Sequence, residues 1–143
     1  MKEIIIQLVT AALGSVGFAL LFQVKSKLLP AAAIGGALSW GIYLLMFHAT
    51  GSIFFSSGIA SAAGALLAEA AARIWKMPST CFFMPIMMPL FPGGVLYYTM
   101  DALLHDSTQA AAFGLRTAQW ALGISAGIGV IWALIRLEKN IRA

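Results

Sequence analysis

Residues 85–98 read Pro85-Ile86-Met87-Met88-Pro89-Leu90-Phe91-Pro92-Gly93-Gly94-Val95-Leu96-Tyr97-Tyr98, with three prolines and two glycines among bulky apolar side chains. A soluble protein would place such a cluster in a loop flanked by polar residues, but here it lies near the middle of an apolar segment. Irregular backbone at membrane depth persists only where protein or a water-filled cavity satisfies the freed N–H and C=O groups. The stretch is therefore the leading candidate for a binding site.

The composition of the chain is that of an integral membrane protein. Of its 143 residues, 61% are hydrophobic and 10% are charged, and the mean hydropathy is +0.91. A soluble domain has about 25% charged residues, so one small domain could not hide this much apolar surface from water. The sequence predicts an all-α polytopic protein in the lipid bilayer, with residues 1–143 as one membrane domain.

Five apolar segments each approach the length of about 20 residues that a helix needs to cross a bilayer. Because their connections are short, we expect neighbouring helices to be antiparallel. The predicted spans are residues 4–23, 30–48, 52–73, 80–104 and 117–135, and an earlier start of the fifth, near Gln109, is an alternative.

The basic residues between the spans predict the orientation. One side of the membrane receives seven Lys and Arg residues and the other side two, on alternating connections, as the positive-inside rule requires. The sparse side carries Lys2 and Arg116 together with Glu3, Asp101 and Asp106. We therefore expect the N-terminus outside and the C-terminus in the cytoplasm, in the inner (plasma) membrane of a bacterial cell. The seven residues are Lys25, Lys27, Arg73, Lys76, Arg136, Lys139 and Arg142.

Several kinds of site are disfavoured by the sequence. The nine Lys and Arg residues form no stripe suited to nucleic acid. Cys81 is the only cysteine, so we expect no intramolecular disulfide and no cysteine metal site. His48 and His105 are predicted as solvated interface residues rather than metal ligands. We expect no cofactor and no enzymatic activity, since no nucleophile and base stand at helical spacing.

The fourth span is predicted to be broken at Pro92-Gly93-Gly94. Each proline removes a backbone donor and clashes with the carbonyl four residues earlier. We expect one half-helix to end near Leu90 and a second to begin near Gly94, at the bilayer midplane. Its unpaired N–H groups and positive dipole end would hold a carboxylate, as in transporters with discontinuous helices. The alternative is a structural kink packed on its neighbours.

Charged residues near the membrane allow two interpretations each. Glu69 and Arg73 are one turn apart and can pair, either as a gate or proton carrier or as an interfacial ion pair. Asp101 and Arg116 lie near the outer side. They can form an outer ion pair, Arg116 can attract an anion, or both can simply lie at the interface.

Small residues at helical spacing indicate close packing, with the lining of a narrow pathway as the alternative. The third span carries Ser56, Ala60, Gly64, Ala68 and Ala72, and the fifth carries Gly123 and Gly127 as a GxxxG pair. Both stripes are also suited to an oligomer, so a homo-oligomer is a further possibility. The tryptophans mostly fit interfacial belts; they are Trp40, Trp75, Trp120 and Trp132.

At the proline–glycine block the chain resembles the threonine/serine exporter family, in particular its C-terminal five-helix half. Family members often have a proline after the residue that matches Val24, where this chain has Lys25. The matching residues are Pro89-x-x-Pro92-Gly93-x-x-x-Tyr97, Gly17-Phe18-Ala19-x-x-Phe22-x-Val24, and the pair Gly35 and Gly36.

The resemblance implies a subunit of a secondary exporter of small carboxylate-bearing metabolites, such as threonine and serine, or a dicarboxylate such as succinate. It also implies a second membrane subunit that carries the N-terminal half. The predicted substrate-binding residues are Pro89, Pro92, Gly93, Gly94 and Tyr97, and those for gating or proton coupling are Glu69, Arg73, Asp101 and Arg116. The alternative function is a structural subunit that stabilises a partner holding the transport site.

Overall fold

A computed structural model describes residues 2–105 and 107–142 of the chain. Within these residues the chain is helical, with no β-strand. Short 3-10 helices occupy Ser26–Leu28 and Met88–Leu90. The six α-helices are α1 (Lys2–Leu21), α2 (Leu29–Thr50), α3 (Ile53–Trp75), α4 (Thr80–Met87), α5 (Gly93–His105) and α6 (Ser107–Arg142).

The helices agree with the predicted spans. Four helices in the described part are long and apolar enough to cross a membrane, and the bent pair α4–α5 supplies a fifth when it is counted as one span. The turn between α2 and α3 is tight because Gly51 adopts a left-handed conformation, with φ of 63°. The main difference is α6, whose membrane-compatible region covers Gln109–Glu138. The earlier start of the fifth span was therefore the better prediction, because α6 follows α5 almost directly.

The first half of the broken span lies in the centre of the bundle. The segment α4 packs on α1, α2 and α3, whereas α5 packs mainly on α6. Bulky side chains of the first half are buried and face small residues: the side chain of Ile86 lies over Gly35, and the sulfur of Met87 lies over Gly64. The glycines of α2 and α3 therefore make room for α4. The largest fully buried side chains include Phe82, Ile86, Met87 and Leu90.

Helices α3 and α6 approach each other closely, backbone against backbone, at their glycines. A Cβ added to Gly127 would collide with the carbonyl oxygen of Gly58 and with the hydroxyl of Ser61. The Ser61 hydroxyl also donates a hydrogen bond to the carbonyl of Ile124 at 3.2 Å. The prediction of close packing is confirmed for α3, whose stripe of small residues is buried, and for the GxxxG pair Gly123 and Gly127. Hydrocarbon gives helices no hydrophobic reason to associate, so this contact depends on backbone proximity.

Lys25, at the position where the resemblance leads us to expect a proline, lies in the connection between α1 and α2. Lys25 adopts φ of −54° and ψ of 135°, and a φ near −65° is what a proline ring imposes. Val24 beside it is buried against the core. The backbone at Lys25 is therefore already in a proline-like conformation.

Alanine at Gly127 should destabilise the protein, whereas alanine at Gly129 should not. The clash at Gly127 is with backbone, which yields little, so we expect a cost of roughly 1–3 kcal/mol. Gly129 has open space around its Cβ position, and alanine there should gain about 0.5–1 kcal/mol in helix propensity. Thermal unfolding of both variants in detergent measures this. Equal melting temperatures would contradict the proposed α3–α6 contact.

Candidate functional site

The two halves of the broken span meet at an angle of 51° between Thr80–Leu90 and Gly93–His105. Pro85 lies inside α4, and the helix tightens to a 3-10 turn at Met88–Leu90. Phe91 is extended, with φ of −66° and ψ of 130°. The predicted break is confirmed, and the second half-helix begins at Gly93, one residue before the predicted start.

The break leaves two backbone donors without partners among the described residues. Three amide groups around it are satisfied locally: Phe91 N–H bonds Met88 C=O at 3.2 Å, Gly93 N–H bonds Phe91 C=O at 2.8 Å, and Leu96 N–H bonds Pro92 C=O at 2.9 Å. The N–H groups of Gly94 and Val95 donate to no group among the described residues. They lie in the first turn of α5, where the helix dipole is positive. The start of α5 is therefore suited to an anionic or carbonyl group.

A groove of about 440 Å³ adjoins this helix start. It lies between α1, α2 and the break, and it combines an apolar wall with two polar side chains, Gln7 and Thr10. The Trp40 indole N–H donates to the Gln7 amide oxygen across the groove at 3.4 Å. The groove is lined by Gln7, Thr10, Ala11, Gly14, Phe18, Trp40, Met88, Pro89, Phe91 and Gly93.

The structure brings some of the predicted substrate residues to this groove and not others. Pro89 and Gly93 line it, and Pro92 and Gly94 flank Gly93 in the break. Tyr97 does not contribute to the lining, since the residue is 67% exposed and its ring packs edge-on against Tyr98. Its exposed position on α5 faces away from the rest of the chain.

Gly93 and Gly94 are not required by the local fold. Neither residue has a positive φ, and a Cβ at either position would meet nothing within 4 Å. By contrast, a Cβ at Gly36 would collide with the Ser15 hydroxyl. The two glycines therefore leave the backbone at the start of α5 accessible.

Sequence reasoning missed the polar lining of the groove. Gln7 and Thr10 are three residues apart and lie on one face of α1, and polar side chains in an apolar helix are a signal for a functional face. The structure also gives Trp40 and Trp120, two of the predicted belt residues, contacts inside the bundle. Both stack on the buried ring of Tyr43, at centroid distances of 5.0 and 4.9 Å, and the indole N–H of Trp120 is buried without a hydrogen-bond partner.

A charge cluster connects α3 to the C-terminal part of α6. The predicted pair is confirmed: Arg73 Nε lies 3.2 Å from Glu69 Oε1. Arg73 Nη2 also lies 3.6 Å from Glu138 Oε2, a partner that sequence reasoning missed because it is 65 positions away. Glu69 has a side chain that is 18% exposed and lines a separate cavity of about 220 Å³ with Ser79, Trp132, Ile135 and Arg136.

The other pair of charged residues is not joined in the structure. Asp101 Oδ1 lies 3.2 Å from His105 Nδ1, one turn away on α5. Among the described residues no ion pair joins Asp101 to Arg116, which is exposed on α6. In the structure Asp101 therefore has its partner on its own helix, and the outer ion pair stays a prediction. Asp106, the remaining acid expected on this side, lies outside the described residues.

The described residues contain no group of three His, Cys, Asp or Glu side chains arranged to hold a metal ion. Cys81 is a free, half-buried thiol.

Comparison with known proteins identifies a related family. The family described as Threonine/Serine exporter, ThrE, matches residues 7–134 of this chain. The matched region includes the whole of the groove and the break, and the resemblance inferred from the sequence is confirmed at the level of the family. No solved structure matches the chain.

Alanine at Gly93 or Gly94 should leave the fold intact, whereas alanine at Gly36 should not. Open space surrounds the first two positions, and the third is closed by Ser15 of α1. We expect melting temperatures near that of the wild type for Gly93→Ala and Gly94→Ala, and a clear loss for Gly36→Ala, with an overpacking cost of about 1–3 kcal/mol. Circular dichroism during heating checks this. Unfolding of the Gly93 and Gly94 variants would show that these glycines serve the fold itself.

Proposed function

Since this chain belongs to the threonine/serine exporter family, we propose that it is one subunit of a secondary exporter of small carboxylate-bearing metabolites. The family is one of exporters, not of enzymes. Threonine and serine are the first candidates for substrates, and a dicarboxylate such as succinate is the second. We further propose that the groove at the break holds the substrate.

The observation that carries this proposal is the free helix start beside a partly polar groove. The N–H groups of Gly94 and Val95 provide donors for a carboxylate, and the dipole of α5 adds a positive potential. Gln7 and Thr10 provide polar groups across the groove for the remainder of an amino acid. Glycine at positions 93 and 94 lets the carboxylate approach the backbone without a side chain in between.

A second membrane subunit is proposed to cover the groove. Hydrocarbon cannot bond the N–H groups of Gly94 and Val95, so protein or water must lie against them. The face of α5 that carries Leu96, Tyr97 and Met100 is exposed and continues from the break. The family resemblance favours a partner with the N-terminal exporter half, and a second copy of this chain is the competing occupant.

The charge cluster of Glu69, Arg73 and Glu138 is proposed as a gate. It connects α3 to α6 at the end of the bundle where the α3–α4 turn lies. Breaking it would free the end of α6 from α3 while the glycine contact holds the helices further along. Arg73→Glu or Glu138→Arg alone should remove export, and the double variant that exchanges the two charges should restore it. Loss of export in the double variant as well as in both single variants would contradict this role.

The two other residues predicted for gating or proton coupling are Asp101 and Arg116. They lie toward the opposite end of the bundle. Asp101 contacts His105 on its own helix and is proposed to take part in gating. Arg116 is exposed on α6 and is proposed to attract the departing anion. A proton or ion gradient is proposed as the energy source, because the sequence has no nucleotide-binding loop.

We expect substitution of Gly93 to remove export without loss of the protein. Leucine at Gly93 would extend from the groove wall into the space proposed for the carboxylate. Leucine at Gly129 is the matched control, because that glycine is equally open but lies on α6 away from the groove. Release of threonine, serine and succinate from cells that carry the gene, with its partner, measures the effect.

The outcomes of that experiment separate the candidate functions. Export reduced to the level of cells lacking the gene in Gly93→Leu, with normal amounts of complex, supports a substrate site at the break. Normal export in Gly93→Leu favours the structural subunit, whose partner would hold the site. No difference in release of any amino acid or dicarboxylate between cells with and without the gene would contradict the exporter.

The orientation is proposed from the basic connections, with the N-terminus outside and the C-terminus in the cytoplasm. In a Cys81→Ser background, a cysteine at Ala49 should react with a membrane-impermeant maleimide in intact cells. A cysteine at Lys27 should react only after permeabilisation. The reverse pattern of labelling would contradict the proposed orientation.

A further inference from the structure

We propose that the cavity between α3, the α3–α4 turn and the C-terminal part of α6 is a second binding site, for a small zwitterionic amino acid. Glu69 would take the ammonium group and Arg136 the carboxylate. This inference rests on the proposed exporter function and adds a loading site that is separate from the groove at the break. The cavity has a volume of about 220 Å³, enough for an amino acid with a short side chain.

The cavity presents opposite charges that do not neutralise each other. Glu69 and Arg136 both line it, yet no ion pair within 4.0 Å joins them in the described part of the chain. Arg136 makes no ion pair with any other described residue. A ligand with one charge of each sign would complement both groups at once, whereas a simple anion would meet the Glu69 carboxylate.

Glu69 can release its present partner at little cost. Its carboxylate is bonded to Arg73, and Arg73 is also within 3.6 Å of Glu138. When a ligand ammonium replaces Arg73 at Glu69, the guanidinium keeps an acidic partner and is not left alone. Binding would therefore exchange a contact within α3 and leave the Arg73–Glu138 connection between α3 and α6 in place.

The remaining lining suits a hydroxylated amino acid. Ser79 stands at the N-cap of α4 and its side chain makes no capping hydrogen bond, so its hydroxyl is available to a ligand hydroxyl. Trp132 and Ile135 form the apolar wall, and the Trp132 ring is held edge-on against Phe83 at 6.0 Å. This combination matches threonine or serine better than a dicarboxylate.

The cavity lies at the end of the bundle from which the exported substrate would enter. The same end carries Lys25, Lys27 and Lys76, which line a neighbouring cavity with Trp75. Under the proposed orientation this end is cytoplasmic. A weak site here would collect substrate before it reaches the groove.

Equilibrium binding of L-threonine to the full-length chain in nanodiscs tests the proposal. The protein carries Gly93→Leu, which blocks the groove so that only the second site is measured. We compare three further substitutions in this background: Glu69→Gln, Arg136→Gln and, as the control of equal charge change at the same end, Lys27→Gln. L-Threoninamide, which lacks the carboxylate, and 2,3-dihydroxybutanoate, which lacks the ammonium, serve as ligand controls.

We expect threonine to bind the Gly93→Leu protein and its Lys27→Gln derivative alike. Arg136→Gln should weaken threonine binding by at least about tenfold but change threoninamide binding little, since one lost charge-assisted contact is of that order. Glu69→Gln should weaken threonine and threoninamide binding together. Arg136→Lys should restore part of the affinity, which separates loss of charge from loss of fold.

The proposal is overturned when threonine binds equally to all variants, when threoninamide binds as tightly as threonine, or when the Gly93→Leu protein binds no threonine. None of these results bears on export by the wild-type chain, which is measured separately in cells. If the chain exports nothing but threonine binds at this cavity, the exporter function is contradicted and the zwitterion site is supported. If export is normal but threonine does not bind here, only the second site is contradicted.

Discussion

The central constraint on this molecule is that hydrocarbon offers no hydrogen bonds to an interrupted backbone. Three prolines within eight residues interrupt the fourth span and bend it by 51°, and the next half-helix starts with two donors unsatisfied by the described residues. A soluble protein would leave such groups to water. In a membrane these two N–H groups require a water-filled groove, a ligand or a partner. The groove and its polar lining are the features of the candidate site that meet this requirement.

The bundle accommodates the break by separating its two halves. The first half is inserted between α1, α2 and α3, where Gly35 and Gly64 make room for Ile86 and Met87. The second half packs on α6, which in turn is fixed to α3 through Gly123 and Gly127. Gly35, Gly64, Gly123 and Gly127 therefore allow close packing, whereas no described atom lies near the Cβ positions of Gly93 and Gly94. The candidate site is distinguished from the scaffold by the break itself, where open glycines adjoin the groove.

The sequence was sufficient for the local features and insufficient for the distant ones. Span number, the break near Gly93 and the Glu69–Arg73 pair depend on residues within a few turns of each other, and all three were predicted correctly. The Glu138 partner of Arg73, the stack of Trp40 and Trp120 on Tyr43, and the entry of Gln7 into the groove depend on how helices rotate against one another. Hydrophobicity alone could not predict these contacts, because the lipid-facing and protein-facing sides of a helix are both apolar.

Protection of a single cysteine in the groove tests the central claim most directly. Thr10→Cys in a Cys81→Ser background would place the only thiol of the chain beside the break, and Gly129→Cys would place one on the far side of α6. If the break holds the substrate, threonine should slow the reaction of the thiol at position 10 with a small methanethiosulfonate reagent and leave the thiol at position 129 unaffected. Equal reaction rates at position 10 with and without threonine, serine or succinate would contradict the account.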